Sequence, residues 1–184
     1  MTIDAKIIKQ LRDKTGISVM ECKRALEQTE GDLERAAGLL RERSIELARK
    51  KSGRSAKEGA IGAYVHTGGK IGVLVELNVE TDFVARNEQF QALLKDLCLQ
   101  VAASAPRFTS REEIPEDLLE VKRKEYGEIE PFIEEACLLE QAFIKDPGRK
   151  IREVIEEAIS RFGENITVKR FTRFEMGKYE SDAP

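Results

Sequence analysis

The side chains able to do chemistry in this chain are few and scattered. His66 is the sole histidine, and it stands just before a glycine-rich turn, where an imidazole reads as a solvated strand end rather than a base. The stretch "HTGGKIG" pairs Gly69 with Lys70, but a phosphate loop needs a glycine five residues before the first of these and a hydroxyl residue after the lysine. Tyr64 and Ile71 hold those places, so the stretch predicts only a hairpin turn. Cys22, Cys98 and Cys137 are odd in number, far apart and each inside a helical pattern. They read as reduced thiols in or near a core. Carboxylate runs such as Glu112-Glu113 and Glu156-Glu157 look like exposed helix faces, and no metal-ligand spacing occurs. The residues assemble no catalytic constellation and call for no metal or cofactor.

What stands out is a matter of shape. In "NVETDFVARNEQF", residues 78–90, an acid and two large apolar residues, Asp82-Phe83-Val84, fill a junction where a turn is normally polar. Pattern alone favours Phe83 and Val84 as a hydrophobic staple packed under the next helix. The other reading projects one of them outward as an aromatic anchor for a partner. Periodicity does not separate the two.

The junction is flanked by a strand with Ile71, Val73, Val75, Leu77 and Val79 alternating, and by a helix from about Asn87 to Ala105. An earlier strand (Ile61, Ala63, Val65) pairs with the first through the turn Thr67-Gly68-Gly69-Lys70. Ser110-Arg111-Glu112-Glu113 has the form of a capping box, and helices follow at roughly 116–126, 130–140 and 149–162. Gly163 stops the last, and "NITVKRFTRF" (165–174) forms a final strand with imperfect alternation.

Ahead of this core, residues 1–48 predict three short helices. The first buries Ile3, Ile7, Ile8 and Leu11, and Thr15-Gly16 closes it with a left-handed cap. The second starts at a Ser18–Glu21 capping box and buries Met20, Ala25 and Leu26. The third opens at Gly31-Asp32 with Leu33, Ala36, Ala37 and Leu40 inward. So small a core suits a docking unit better than a catalyst. Residues 49–58, "RKKSGRSAKE", read as a basic linker or the frayed end of the third helix, without the interleaved aromatics of an RNA surface. The α+β core with a three-stranded antiparallel sheet packed against helices then occupies 59–180.

Composition sets the class. The 184 residues are 41% hydrophobic and 35% charged, with a net charge of −3 that gives no electrostatic case for nucleic acid. The charge is uneven: residues 1–58 carry fourteen Lys/Arg against ten Asp/Glu, and residues 88–164 carry eleven against eighteen. No apolar stretch approaches the roughly 18 residues of a membrane span. Met1-Thr2-Ile3-Asp4 leads into a helical pattern without a cleavable leader, so a cytoplasmic protein is expected.

At this point several segments resemble one family. "TDFVARN" (81–87), following a valine-rich strand, is similar to the signature of elongation factor Ts, the guanine-nucleotide exchange factors for elongation factor Tu. "LRDKTGISVMECKRALEQTEGDLERAAGLLRE" (11–42) resembles that family's N-terminal ubiquitin-associated-like three-helix module. "LLEQAFIKD" (138–146) and "GENITVKRFTRFEMG" (163–177) resemble its later core motifs. Two departures are Ala142, where the family often has proline, and Ile17, where a small residue is common. The chain resembles the short form of the family, without a second core subdomain or helical-hairpin insertion. That leaves a sheet face or edge to cover, and a symmetric homodimer is the hypothesis.

The resemblance implies binding to elongation factor Tu, both GDP-bound and nucleotide-free. It also implies GDP release by displacement of the partner's Mg²⁺, with no cofactor, covalent catalysis, nucleic acid or membrane involved. By the same resemblance Thr81, Asp82, Phe83 and Val84 form the Mg²⁺-dislocating element. Phe83 is the wedge, Thr81 and Asp82 are polar positioning groups and Val84 is apolar support. Thr15, Gly16, Met20, Cys22, Lys23 and Leu26 are the docking residues of the N-terminal module. Phe83 thereby becomes an expected exposed anchor, against the pattern reading. An adaptor working through residues 1–45 and an RNA-associated protein using 49–58 are the alternatives.

Overall fold

A computed structural model describes residues 3–178 and divides the chain into two units, Met1–Ser55 with Glu153–Ile166 and Ala56–Arg152 with Thr167–Pro184. Met1, Thr2 and the end of the expected core range, residues 179 and 180, lie outside the described residues.

In the first unit, helices α1 (Ala5–Thr15), α2 (Val19–Gln28) and α3 (Leu33–Lys51) begin at Asp4, Ser18 and Asp32, whose side chains accept from backbone N–H groups of the first turn. Leu11, Ile17, Cys22, Ala25, Leu26, Ala36 and Leu40 form the core, with Ile3, Ile7, Ile8, Leu33, Ala37 and Leu39 packed around it. Ile17, the residue that departs from the family pattern, is buried here. Met20 is not: it is exposed at the start of α2, one position off the inward stripe of Cys22, Ala25 and Leu26. Only half of the Ser18 capping box forms. Ser18 accepts from Glu21 N–H at 3.3 Å, while the Glu21 carboxylate turns to Arg24 at 2.7 Å.

Residues 49–51 continue α3, so the start of the 49–58 segment is the end of the third helix rather than linker. Helix α8 (Ile151–Phe162), counted with the core on sequence, has residues 153–162 grouped with the N-terminal helices. Its Glu153 pairs with Arg41, the carbonyl of Gly163 accepts from Lys51 Nζ, and Asn165 Nδ2 donates to the carbonyl of Arg54 at 2.8 Å. Glu156 and Glu157 are half-buried rather than a fully exposed face.

The second unit is built on a three-stranded antiparallel sheet of order β1 (Glu58–Val65), β2 (Ile71–Val79), β5 (Ile166–Glu175), the last strand straddling the division between units. Val73, Val75, Leu77 and Val79 face the core from β2. The apolar alternation of β1 does the reverse: Ile61 and Val65 are about two-thirds exposed. The inward position opposite Val75 is Gly62. A Cβ there would lie 2.7 Å from Leu94 Cγ and 2.8 Å from Cys98 Sγ, so the glycine lets helix α5 (Glu88–Ser104) lie against the strand. Burial along β5 changes phase between Val168 and Phe171, matching its imperfect alternation.

Beyond α5, Ser110 starts only a 3-10 turn, Arg111–Glu113, without a side-chain cap; the Glu113 carboxylate instead accepts from Thr109 N–H at 2.8 Å. Helices α6 (Glu116–Tyr126) and α7 (Glu130–Ala136) gather Ile114, Leu119, Ile129, Ile133 and Cys137 into a satellite core. A short hairpin, β3 (Ala142–Phe143) and β4 (Asp146–Lys150), fills most of the gap between the helices expected at 130–140 and 149–162, where sequence periodicity assigns no element. Gln100, fully buried on α5, fastens it: its Nε2 donates to Ala142 O at 3.1 Å and its Oε1 accepts from Ile144 N–H at 2.9 Å. Among the described residues no buried side-chain nitrogen or oxygen lacks a partner.

Glu140 sits at the base of this hairpin, bonded to Arg152 Nε at 3.1 Å and near Lys150 at 3.5 Å. Burial opposes its ionisation, but the Arg152 hydrogen bond and the charges of Arg152 and Lys150 outweigh it, and its pKa falls below the ordinary carboxylate value. A depressed pKa gives stability that is present above the unfolded-chain value, near 4.3, and lost as pH falls through the folded value. The acid limb of the melting temperature against pH is expected to be shallower in Glu140→Gln. An unchanged limb contradicts this.

Candidate functional site

The junction between β2 and α5 folds into a helix of a single turn, α4 (Asp82–Ala85). Thr81, in extended conformation, caps it by accepting from Val84 N–H at 3.4 Å. Asn87 caps the next helix at once, accepting from Gln89 N–H at 2.8 Å, and its own N–H donates to Val84 O at 3.0 Å. Gln91 Nε2 donates to Ala85 O at 2.7 Å. A turn this short has no stability of its own. These caps, with Val84 and Ala85 buried at 6% and 5% exposure, hold it to the unit.

That anchoring decides where Phe83 points. At 100° per residue, position 83 lies about 150° round the helix from the bisector of 84 and 85, on the opposite side. Phe83 is 80% exposed. Holding such a ring in water forgoes roughly 1.5–3 kcal/mol of burial. Pattern had favoured a staple; Val84 packs inward as a staple would, and Phe83 does not. Asp82 is exposed beside it and pairs with Arg86 at 3.1 Å across one helical turn, an arrangement that holds the carboxylate at little energetic gain.

The docking residues expected from the family pattern divide. Gly16, Met20 and Lys23 are exposed and Thr15 half-buried, whereas Cys22 and Leu26 are fully buried in the module's own core. Those two shape the surface from beneath and present no atoms to a partner. Val19, which sequence reasoning passed over, is 49% exposed next to Met20 at 58%. It occupies the first helical position, beyond the reach of the core. Gln91 was also missed, since a glutamine on a helix carries no pattern until Ala85 O is placed beside it. The 81–84 element belongs to one unit and the docking residues to the other.

The remaining reactive groups are quiet. Burial pushes the Cys98 and Cys137 thiols up to about 11 and raises that of Cys22, so all three stay protonated and unpaired in the core. His66 is exposed, with Tyr64 Oη 3.0 Å from its Nδ1. Gly68 and Gly69 take positive φ in the hairpin turn. Among the described residues no group of three or more His, Cys, Asp or Glu could hold a metal ion, and no helix is long and apolar enough to cross a membrane.

Comparison with known proteins agrees on one family. The family model "Elongation factor TS" matches residues 3–126 and 124–178. Curated proteins named elongation factor Ts are 46% identical in Thermodesulfovibrio yellowstonii, over 99% of this chain and 100% of that protein, and 46% in Geobacter sulfurreducens, over 99% and 95%. One from Thermoanaerobacter pseudethanolicus is 43% identical over 96% of each.

Proposed function

The chain belongs to the elongation factor Ts family of translation elongation factors, and from that premise we propose that it binds elongation factor Tu and promotes GDP release by displacing Mg²⁺, so that GTP can enter. The observation that carries the reading is Phe83, 80% exposed on a turn clamped to the unit by Val84, Ala85 and Gln91. A rigid platform holding a bare aromatic ring is what a wedge requires, because the ring's position is set before contact.

In this reading Phe83 enters an apolar crevice of the nucleotide-binding partner and Asp82 meets polar groups at its rim. Thr81 acts as the cap that sets the turn, and Val84 supports it from below. Mg²⁺ in the partner bridges protein oxygens to the phosphates, so moving its ligands removes much of the hold on GDP. No covalent step is involved, and this chain supplies no cofactor. The helical module, residues 1–48, docks through Gly16, Val19, Met20 and Lys23. The site of action is the cytoplasm, where translation factors work.

Linkage supplies a test. A protein that weakens GDP binding by some factor has its own binding weakened by GDP by the same factor. The complex with nucleotide-free elongation factor Tu should therefore co-elute on size exclusion and dissociate as GDP and Mg²⁺ are added. A complex indifferent to GDP, or none at all, overturns the reading.

The outer face of the sheet is the surface for a second copy. Ile61, Val65, Leu74 and Phe174 are exposed on it, with Arg170 bonded to Glu76 at 2.7 Å among them. Two such faces together would take these apolar side chains out of water. At micromolar concentration the mass is expected near twice the 20.8 kDa of one chain, and Ile61→Asp should return it to monomer. A monomer mass for the parent chain contradicts the dimer.

A further inference from the structure

We propose that Arg161 is a positioning residue for the docking corner of the helical module, acting through the carbonyl of Gly16; the inference rests on the exchange-factor reading. Gly16 ends α1 in the left-handed conformation, φ 66°, with its N–H bonded to Arg12 O at 2.6 Å. Its carbonyl accepts from Arg161 Nε at 3.1 Å, a bond spanning 145 positions of sequence. The guanidinium also fills the space a side chain would take. A Cβ on Gly16 would fall 2.6 Å from Arg161 Cζ and 2.9 Å from Nε. Glycine is thus demanded by φ, and the guanidinium, the movable end of a long side chain, settles into the space the glycine leaves open.

The rest of the corner is held from within. Ile17 N–H donates to Thr15 Oγ1 at 3.4 Å, Cys22 Sγ donates to Ile17 O at 3.6 Å, and Cys22 N–H donates to Ser18 O at 3.0 Å. These fix the local shape. The bond from Arg161 ties that shape to α8, whose two ends are themselves held, Glu153 by Arg41 and the Gly163 carbonyl by Lys51. Val19 and Met20, the exposed apolar pair, follow directly after the corner.

A charge-assisted bond at an exposed site adds little to global stability, because water competes for both partners. Its value is preorganisation: a corner already in place pays less ordering entropy on docking. Loss of the bond should therefore weaken association and leave untouched the wedge step, whose residues lie in the other unit.

The test uses the full chain with Arg161→Ala and Arg161→Lys. Amide hydrogen exchange of the free protein over residues 16–21 should quicken roughly three- to tenfold in Arg161→Ala, with an unchanged melting temperature. The lysine variant, still able to donate to Gly16 O, should recover part of the protection. In GDP release from elongation factor Tu, the half-saturating concentration of Arg161→Ala should rise roughly three- to tenfold at constant maximal rate. Parent-like exchange over 16–21, or a lower maximal rate at constant half-saturation, overturns the role. If the parent chain releases no GDP, the exchange-factor reading falls, and the amide exchange still decides whether Arg161 holds the corner.

Discussion

Replacing Phe83 with alanine is expected to cost roughly 30-fold in stimulated GDP release while leaving the melting temperature of the protein where it was. The asymmetry follows from where the ring sits. At 80% exposure it contributes almost nothing to the folded unit, and surface substitutions of this kind stay within about 0.5 kcal/mol. An aromatic anchor that is desolvated only at an interface costs about 2 kcal/mol or more when truncated. Docking through Val19, Met20 and Lys23 is independent of the ring, so the variant should still bind and fail chiefly in maximal rate. Phe83→Leu, which keeps apolar bulk without the ring's reach, should fall between. Asp82→Ala should cost less, since the carboxylate is held only by an exposed ion pair with Arg86. Stopped-flow release of a fluorescent GDP analogue together with calorimetric melting of each variant checks all of this. A Phe83→Ala protein that melts lower, or that releases GDP at the parent rate, contradicts the wedge.

Phe90, seven residues on, is expected to give the opposite result. It is fully buried in the first turn of α5, directly after the platform that carries Phe83. Truncation to alanine removes a whole ring from the interior and leaves a cavity, at a cost of roughly 3–5 kcal/mol. For a chain of this size that lowers the melting temperature by roughly 6–20 °C. The folded fraction that remains at low temperature should retain a parent-like maximal rate, because Val84, Ala85 and Gln91 still seat the turn. Thermal melting and GDP release at low temperature measure the two halves. Near-parental stability in Phe90→Ala would mean that the core under the platform is assigned to the wrong side chains.

These two phenylalanines also show what could be read from the sequence and what could not. Phe90 lies on a seventeen-residue helix with a long apolar stripe, so periodicity identifies it as core. Phe83 lies on a helix of four residues, too short to have a period. Its direction depends on Val84 and Ala85 finding the interior, which only the assembled unit decides. The same limit applies to β1. Its alternation marks a strand correctly, but the apolar residues line the open face because Gly62 is needed where α5 comes close. Met20 and Val19 are apolar at a helix start, where one position separates core from surface. The Ser110–Glu113 pattern satisfies the composition of a capping box, yet it opens only a three-residue 3-10 turn, and helix α6 starts afresh after Pro115. The β3–β4 hairpin was not legible because it hangs on buried side-chain bonds from Gln100, distant in sequence. The α+β class, the three N-terminal helices and the central hairpin were legible, since each rests on a long stretch of regular apolar spacing.

The most direct test of the proposed activity is the rate of release of a fluorescent GDP analogue from elongation factor Tu, followed at millimolar Mg²⁺ as the concentration of this protein is raised. A Mg²⁺-displacing wedge predicts a saturating acceleration at millimolar Mg²⁺ that shrinks toward none when Mg²⁺ is chelated beforehand. A release rate indifferent to the protein at every concentration would contradict the exchange-factor reading outright. Equal acceleration with and without Mg²⁺ would contradict the displacement mechanism.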